Sequence, residues 1–390
     1  MSYSLQHKAL LPTGFHDVLP PDASTRASIV STLLDVFDGY GYERVMPPTL
    51  EFEESLFTGS GKALEHQTFR LMDPISRKMM GLRPDITMQV ARIATTRLVN
   101  MPLPIRLSYS GQVFRVKSGD IHGERQTTQA GVELIGADSV LADAEVVRIA
   151  VDALHKIGVS DLSIDFNLPR LVTILLKDIA LSDQKKVWLK QALNKKDAAA
   201  IAALAPEKKT ANLLIDLVTP HGNSHDLLTH LLGLSLPQEA RDLCQRLQDV
   251  IACLKQVLRG VSVTIDPLEH RGFEYHTGIG FAIFSKHYTG EIGRGGRYII
   301  SSSGGNDDQD TGAVGVTLYI NDLYRLLPKL AAKPRIYVIP HTSQQEIHQL
   351  QEQGFVTICA IDAEADNRAK ALRLKCQAIY NNGVVSTVSD

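Results

Sequence analysis

The sequence predicts an α+β fold, in which two strand-rich stretches enclose a long helical one. The strand-rich stretches are residues 69–136 and 262–319. They contain short apolar runs of β-branched and aromatic residues, which favour strands. The stretch between them is rich in leucine, alanine, lysine and glutamine, which favour helices. Strands on both sides of a helical block indicate one α+β domain that carries a helical insertion.

The elements can be placed in order along the chain. Apolar residues recur at helical spacing from Ile29 to Tyr40, and Asp22 or Ser24 can cap this first helix. The next strand, at residues 44–46, is stopped by two prolines. The strands predicted after it are 78–82, 105–109, 112–116 and 129–135, and the helices are 86–99 and 140–157.

The chain divides into a core at residues 1–325, with the helical insertion at 168–259, and a small α/β module at 333–390. Asp197–Leu204 is the clearest helical run of the insertion. Pro328 and Pro334 mark the start of the module. Its predicted elements are a strand at 335–339, a helix at 344–353, a strand at 356–361 and a helix at 363–375.

Composition limits the classes of function. The 390 residues suffice for two or three domains, and 41 basic against 43 acidic residues give a formal net charge of −2. Phosphate binding depends on basic surface, so no nucleic acid partner is expected. The four cysteines show no CxxC spacing, and no apolar stretch approaches the length of a membrane span. We therefore expect a cytoplasmic protein without membrane contact.

Three histidines of the insertion, His221, His225 and His230, raise the question of a metal site. They stand in a polar helical context without a neighbouring cysteine. Solvated histidines at helix ends explain them better than metal ligands do. No metal and no cofactor are expected.

The segment 268–278 is the most informative part of the chain. It places an arginine, an acid, a tyrosine and a histidine within six residues. Alternation along a pleated strand would put Arg271 and Tyr275 on one face and His276 on the other. An amphipathic edge strand is the alternative interpretation.

Gln129 and Glu133 are two polar residues in an apolar strand. Their spacing of four places both on the same face. Buried polar groups without partners are costly. A ligand site is therefore the better explanation.

Six fragments, in order, resemble the histidyl-tRNA synthetase family. The likeness extends from about Thr13 to Tyr324 and implies a class II synthetase fold, an antiparallel sheet flanked by helices. The fragments are 13–20, 40–51, 81–87, 112–133 in two pieces, 268–278 and 294–298.

The resemblance also implies a site for histidine. Its members are Asp85, Thr87, Gln129, Glu133, Arg271, Tyr275, His276 and Tyr298. His276 stands where the family has a tyrosine, and Arg271 stands where the family meets the substrate carboxylate or the α-phosphate. Arg115 matches the arginine that holds the α-phosphate of ATP, so it is expected to form a residual anion site.

The nucleotide end departs from the family. Lys117 replaces an acid, and the Glu-Arg pair of the third class II motif becomes Asn321-Asp322. An aspartate facing a triphosphate would turn an attraction into repulsion. The module at 333–390 is also much shorter than an anticodon-binding domain. Adenylation is therefore not expected, and no residue is assigned a catalytic role.

This combination resembles a synthetase-like regulatory family that pairs with the short-form catalytic subunit of ATP phosphoribosyltransferase. The resemblance implies a non-catalytic subunit acting in histidine biosynthesis. It also implies a self-dimer, a hetero-octamer of four chains of each kind, and histidine as the ligand that mediates feedback inhibition. The alternative is a divergent active histidyl-tRNA synthetase or another class II ligase.

Overall fold

A computed structural model describes residues 10–57, 64–117, 123–177, 179–219, 224–269, 275–300, 310–329, 331–362 and 366–388. The chain forms two compact units, Met1–Pro328 and Lys329–Asp390. Each unit has its own sheet and its own buried apolar residues.

The described elements of the first unit are a series of strands and helices. The strands are β1 (Glu43–Arg44), β2 (Leu50–Phe52), β3 (Phe69–Met72), β4 (Met79–Leu82), β5 (Ile105–Phe114), β6 (Gln126–Ile135), β7 (Leu162–Asn167), β8 (Ser262–Asp266), β9 (His276–Ser285), β10 (Gly293–Ile300) and β11 (Thr311–Tyr319). The helices are α1 (Asp22–Gly39), α2 (Glu53–Leu56), α3 (Thr87–Thr96), α4 (Val140–Lys156), α5 (Leu171–Lys177), α6 (Asp183–Asn194), α7 (Ala198–Leu204), α8 (Lys208–Val218), α9 (Ser224–Gly233), α10 (Gln238–Cys253) and α11 (Ile320–Leu326).

An eight-stranded sheet is the centre of this unit, in the order β1-β5-β6-β11-β10-β9-β7-β8. Its strands pair antiparallel from β5 to β7, whereas β1 with β5 and β7 with β8 pair parallel at the two edges. The predicted antiparallel sheet is confirmed. Strands β2, β3 and β4 form a smaller antiparallel sheet in the order β2-β4-β3.

Strand β5 differs from its prediction. The sequence suggested two strands, 105–109 and 112–116, because Ser110 and Gly111 interrupt the apolar run. The structure has one strand, since Gly111 pairs in register with Gln129 of β6. The cap prediction for α1 was also wrong: Pro21 is the N-cap residue, and it makes no side-chain cap hydrogen bond.

The two faces of the sheet have different partners. One face of β6 presents Ala130, Val132 and Leu134 to a large core shared with α1 and α4. The other face of the sheet forms a second core with α3, which includes Ile86, Tyr109 and Tyr298. The polar residues of β6 face this second side, so the second face carries the site described below.

Along the chain, the helices α5 to α10 come between β7 and β8, which are neighbours in the sheet. Strand β7 ends at Asn167, and β8 begins at Ser262 and pairs with it in parallel. Leu189, Ile201 and Leu231 of these helices are fully buried in the large core. The helical block therefore contributes to the core of the first unit.

The second unit is a small α/β module. Its sheet has the order β13-β12-β14-β15, with strands β12 (Arg335–Val338), β13 (Val356–Cys359), β14 (Ala378–Asn381) and β15 (Val384–Thr387) and helices α12 (Gln344–Glu352) and α13 (Asn367–Arg373). The sequence analysis missed β14 and β15. They form a hairpin whose two loop residues, Asn382 and Gly383, have φ of 45° and 87°. Asn-Gly is a strong signal for this turn.

Candidate functional site

The candidate site lies on the face of the sheet that packs against α3. Strand pairing arranges its residues in three cross-strand rows, about 7 Å apart along the strands. The first row contains Leu107, Glu133, Gly315 and Gly296, the second Tyr109, Gly131, Thr317 and Arg294, and the third Gly111, Gln129 and Tyr319. Alternation along each strand points these side chains to one side.

The loop before α3 brings Asp85 against the third row. The Asp85 Oδ2 atom accepts a hydrogen bond from Gln129 Nε2 at 3.0 Å, and its Oδ1 accepts one from the Thr87 backbone N–H at 2.8 Å. Gln129 in turn accepts from the Ile86 backbone N–H at 3.3 Å. The buried guanidinium of Arg83 donates to the carbonyls of Gln112 and Pro47, both at 2.8 Å, and fixes the loop to β5.

Glu133 occupies the first row and is 1 % exposed. Tyr298 donates a hydrogen bond to its Oε2 at 2.9 Å, and Tyr109 donates to its Oε1 at 3.4 Å. Burial raises the pKa of Glu133 to about 8, although hydrogen bonds from Tyr298, Thr87 and Tyr109 act to lower it and Asp85 acts to raise it. Glu133 is therefore mostly protonated at neutral pH.

Aromatic rings wall the site beside Glu133. The ring centroid of Tyr275 lies 4.2 Å from that of His276 and 5.9 Å from that of Tyr298, the latter pair edge to face. The predicted separation of Tyr275 and His276 on opposite faces was wrong. Strand β9 begins at His276, and Tyr275 lies in the preceding turn, where alternation does not apply. Arg271 lies outside the described residues.

Glycines of the neighbouring strands make room for these side chains. A Cβ on Gly315 would collide with the Glu133 carboxylate, and a Cβ on Gly131 would lie 2.5 Å from the Tyr109 hydroxyl. A Cβ on Gly296 would lie 2.8 Å from Nε2 of His276. Glu133, Tyr109 and His276 therefore lie across the sheet, each over a glycine whose Cβ would collide with it.

The structure brings together all the described members of the predicted histidine site, and it adds residues that the sequence analysis missed. Tyr109 is fully buried, and its hydroxyl lies 2.7 Å from Thr317 Oγ1 and 3.3 Å from Thr87 Oγ1. From the sequence alone, Tyr109 and Thr317 resemble ordinary buried residues of strands. Only the register of β5, β6 and β11 places Tyr109 and Thr317 in the site.

Basic groups and one tyrosine stand at the other end of the site. Arg115 follows β5 and donates through Nε to the Pro84 carbonyl at 3.2 Å. Arg294 of the second row makes a two-armed ion pair with Glu291, with Nε to Oε2 at 3.0 Å. Tyr319 stands among these groups: burial raises its pKa to about 12, with Arg294 and Arg115 lowering it and Glu291 and Asp85 raising it.

Asp322, which the sequence predicts to repel a triphosphate, lies in α11. It is buried, accepts a short hydrogen bond from the Tyr288 hydroxyl and lies 3.3 Å from the Arg325 guanidinium. Asn321 donates to the buried carboxylate of Glu124 at 2.5 Å. Arg325 pairs with both Asp322 and Glu124, the latter at 2.7 Å, so one guanidinium serves two buried carboxylates. The repulsion of a triphosphate by Asp322 stays a prediction. Lys117 is exposed at the end of the described part of its loop.

The remaining candidate features lie elsewhere. His230 contacts Asp216 at 2.7 Å, whereas His221 and the side chain of His225 lie outside the described residues. Within the described ranges, no cluster of three or more potential metal ligands occurs, and no helix is both long and apolar enough to cross a bilayer.

A cavity of about 540 Å³ beside α1, lined by Arg26 and Asn321 among others, is on the opposite face of the sheet.

The site has the chemistry of an amino-acid pocket. Carboxylate and amide oxygens of Asp85 and Gln129 can accept hydrogen bonds from an ammonium group. Glu133 and the tyrosine hydroxyls stand beside an aromatic wall that suits a planar ring. Arg115 and Arg294 provide positive charge at the far end.

The fold defines a class II synthetase-like protein, and the polar and aromatic residues described above lie on one face of its central sheet. A family model for histidyl-tRNA synthetase matches residues 14–323. A solved histidyl-tRNA synthetase from Nostoc is similar with a TM-score of 0.76 and 20% identity, over 95% of this chain and 90% of that one. A structure from Bacillus halodurans, described as an ATP phosphoribosyltransferase regulatory subunit/histidyl-tRNA synthetase, has a TM-score of 0.80 and 22% identity, over 93% and 96%.

Full-length relatives narrow the family further. The ATP phosphoribosyltransferase regulatory subunit of Rhodospirillum centenum is 43% identical over 98% of this chain and 97% of its own length. That of Rhodospirillum rubrum is 44% identical over 96% of both chains. The chain belongs to the family of ATP phosphoribosyltransferase regulatory subunits, which have a histidyl-tRNA synthetase-like fold.

Proposed function

We propose that this chain is the histidine-binding regulatory subunit of an ATP phosphoribosyltransferase and does not itself catalyse a reaction. Family membership supports the regulatory role and its place in histidine biosynthesis. The observation that carries the ligand assignment is the hydrogen-bonded set Asp85–Gln129 and Glu133–Tyr298 on one face of the sheet.

The ammonium group of histidine would bind at the third row. Asp85 and Gln129 already share a hydrogen bond at 3.0 Å, and Thr87 is the first residue of α3. An ammonium offers three donors, which these oxygens can accept with charge assistance from Asp85.

The imidazole would bind at the first row. A neutral imidazole carries one N–H donor and one nitrogen acceptor. With a pKa of about 8, Glu133 retains a proton at pH 7 that it can donate to the nitrogen acceptor. Tyr275 and His276 supply the aromatic wall, and Tyr298 holds Glu133 in place.

The carboxylate would then point to the end where Arg115 stands. Arg294 lies nearby, but its guanidinium is engaged by Glu291. The family resemblance adds Arg271 as a carboxylate contact. Arg115 is the described group best placed to serve as the residual anion site.

Calorimetric titration with histidine tests this assignment. We expect the wild-type protein to bind histidine and Glu133→Ala to bind it at least about tenfold more weakly, the loss that about 1.4 kcal/mol produces. Glu145→Ala is the matched control, because Glu145 lies on the opposite face with Arg106 and Tyr42. Equal affinity in the wild type and Glu133→Ala would show that the assigned pocket is wrong.

The partner is proposed to be a short-form catalytic subunit, in a hetero-octamer of four chains of each kind built on self-dimers, in the cytoplasm. Histidine would favour the inhibited state of this complex by a coupling of about 1–3 kcal/mol. Co-expression with the catalytic subunit tests the partnership through copurification, mass by light scattering, and histidine-sensitive phosphoribosyl transfer. Failure of the two chains to associate would rule it out.

The alternative function, an active class II ligase, has its own test. Histidine-dependent exchange of pyrophosphate into ATP would be present in a ligase and absent in a regulatory subunit. Asn321-Asp322 in place of the family's Glu-Arg pair argues against a ligase.

A further inference from the structure

Strand β11 lines the candidate site with small side chains and then changes abruptly. The positions that face the site are Ala313, Gly315 and Thr317, followed by Tyr319 at the end of the strand. Alternation places Tyr319 on this face, because Leu318 is fully buried in the large core on the other side. On this face of β11, the large side chain of Tyr319 therefore follows three small ones.

The position of Tyr319 in the sheet fixes where this ring lies. Tyr319 pairs with Gln129, the partner of Asp85, and its backbone N–H donates to the Ile292 carbonyl at 3.0 Å. The ring thus stands in the third row, two rows from Glu133. By the assignment above, the third row receives the ammonium group, and the carboxylate lies beyond it, at the end where Arg115 stands.

The surroundings of the Tyr319 hydroxyl give the same location. Arg294, Glu291, Arg115 and Asp85 all lie close enough to act electrostatically on it. Tyr319 also acts electrostatically on Tyr275. The phenol therefore lies at the third-row end of the site, close to Arg294 and Arg115.

We propose that Tyr319 is a specificity-determining residue that closes the carboxylate end of the pocket, so that the site accepts a free amino acid and excludes ligands extended at the carboxyl group. This inference rests on the proposed histidine site. A group joined to the carboxylate, such as the adenosyl phosphate of an aminoacyl adenylate, would have to occupy the volume of the phenol ring. Steric exclusion by a packed ring is an effective form of discrimination.

The test compares free histidine with a hydrolysis-resistant histidyl sulfamoyl adenosine, which mimics the adenylate. In the wild type we expect the analogue to bind at least about tenfold more weakly than histidine. Tyr319→Phe keeps the ring and should preserve this ratio. Tyr319→Ala removes the ring and should lower the Kd of the analogue at least about tenfold, while histidine affinity changes by less than about threefold.

The outcomes separate the inference from the proposed function. If the wild type binds neither compound, the proposed histidine site fails. If the wild type binds histidine and binds the analogue as tightly, the inference fails without reference to any variant. Histidine binding by Tyr319→Ala shows that this variant is folded, and an unchanged ratio in it would also overturn the inference.

Discussion

Replacing Glu133 with glutamine should change how the stability of the first unit depends on pH. The Glu133 carboxyl is fully buried, and its pKa rises from 4.5 to about 8 because burial disfavours the charged form. A raised pKa in the folded protein means that Glu133 contributes most to stability below pH 4.5. That contribution is lost as the pH rises towards about 8. Glutamine cannot ionise, so its contribution should not vary with pH.

The magnitude follows from the two pKa values. Each pKa unit corresponds to about 1.4 kcal/mol, so the shift from 4.5 to about 8 amounts to roughly 5 kcal/mol over the whole range. Between pH 5 and pH 8 the wild type should lose about 3 to 4 kcal/mol relative to Glu133→Gln. The difference should grow by about 1.4 kcal/mol per pH unit in the middle of this range.

Urea unfolding of both proteins at pH 5, 6, 7 and 8 measures this difference. The single tryptophan, Trp188, is already 48% exposed in the folded protein, so far-UV circular dichroism is used to follow unfolding, since most of the described helices belong to the first unit. The free energy of unfolding of the wild type minus that of Glu133→Gln is the quantity to plot against pH.

Glu145→Gln is the matched control. Burial acts to raise the pKa of Glu145, but hydrogen bonds from Arg106 and Tyr42 outweigh it, and the pKa is lowered. A lowered pKa affects stability only as the pH falls below the ordinary glutamate range, so this difference should stay flat from pH 5 to 8. A flat difference for Glu133→Gln as well, within about 0.5 kcal/mol, would refute the assigned burial and protonation of Glu133.

Three further outcomes are expected. Gly315→Ala should weaken histidine binding at least about tenfold in calorimetry, since its Cβ collides with the Glu133 carboxylate, whereas Gly312→Ala on the same strand makes only an ordinary contact and should bind normally. Asp143→Ala should reduce the free energy of urea unfolding by about 3 to 5 kcal/mol, because it leaves two arginines without their buried partner. An effect below about 1 kcal/mol would contradict that role. Gly383→Ala should destabilise the second unit by about 1 kcal/mol through its positive φ, which faster amide exchange in β14 and β15 would reveal and unchanged exchange would contradict.

Much of the fold could be read from local patterns, and the errors arose where local patterns are ambiguous. Helix α4 was predicted at 140–157 and spans Val140–Lys156. Its apolar residues recur at helical spacing over the whole segment, and this pattern identifies a helix clearly. Strand β5 was predicted as two strands interrupted at Gly111. In the structure, Gly111 pairs with Gln129 of β6 and the register is unbroken. The hairpin of β14 and β15 carried a recognisable Asn-Gly signal that was overlooked.

The site was predictable only in part, for a physical reason. Gln129 and Glu133 stood out because polar residues in a buried strand need partners. Tyr109 and Tyr319 did not, since their role depends on which strands are neighbours, and neighbours 24 or more residues apart in sequence are set by tertiary register. The ion pair between Asp322 and Arg325 could have been predicted, because residues three apart on a helix are neighbours.

The flat arrangement of side chains over glycines has a consequence for the energetics of recognition. Glu133, Tyr109 and His276 pack closely over glycines of the sheet, and Tyr298 and Tyr109 donate hydrogen bonds to the Glu133 carboxyl. A ligand that binds here does not have to immobilise them, so most of its interaction energy is available as affinity. The corresponding loss falls on folding, where an acid is buried against its preference for water. Under the proposed function, preformed ligand contacts and a loss of folding stability thus come from the same buried carboxyl.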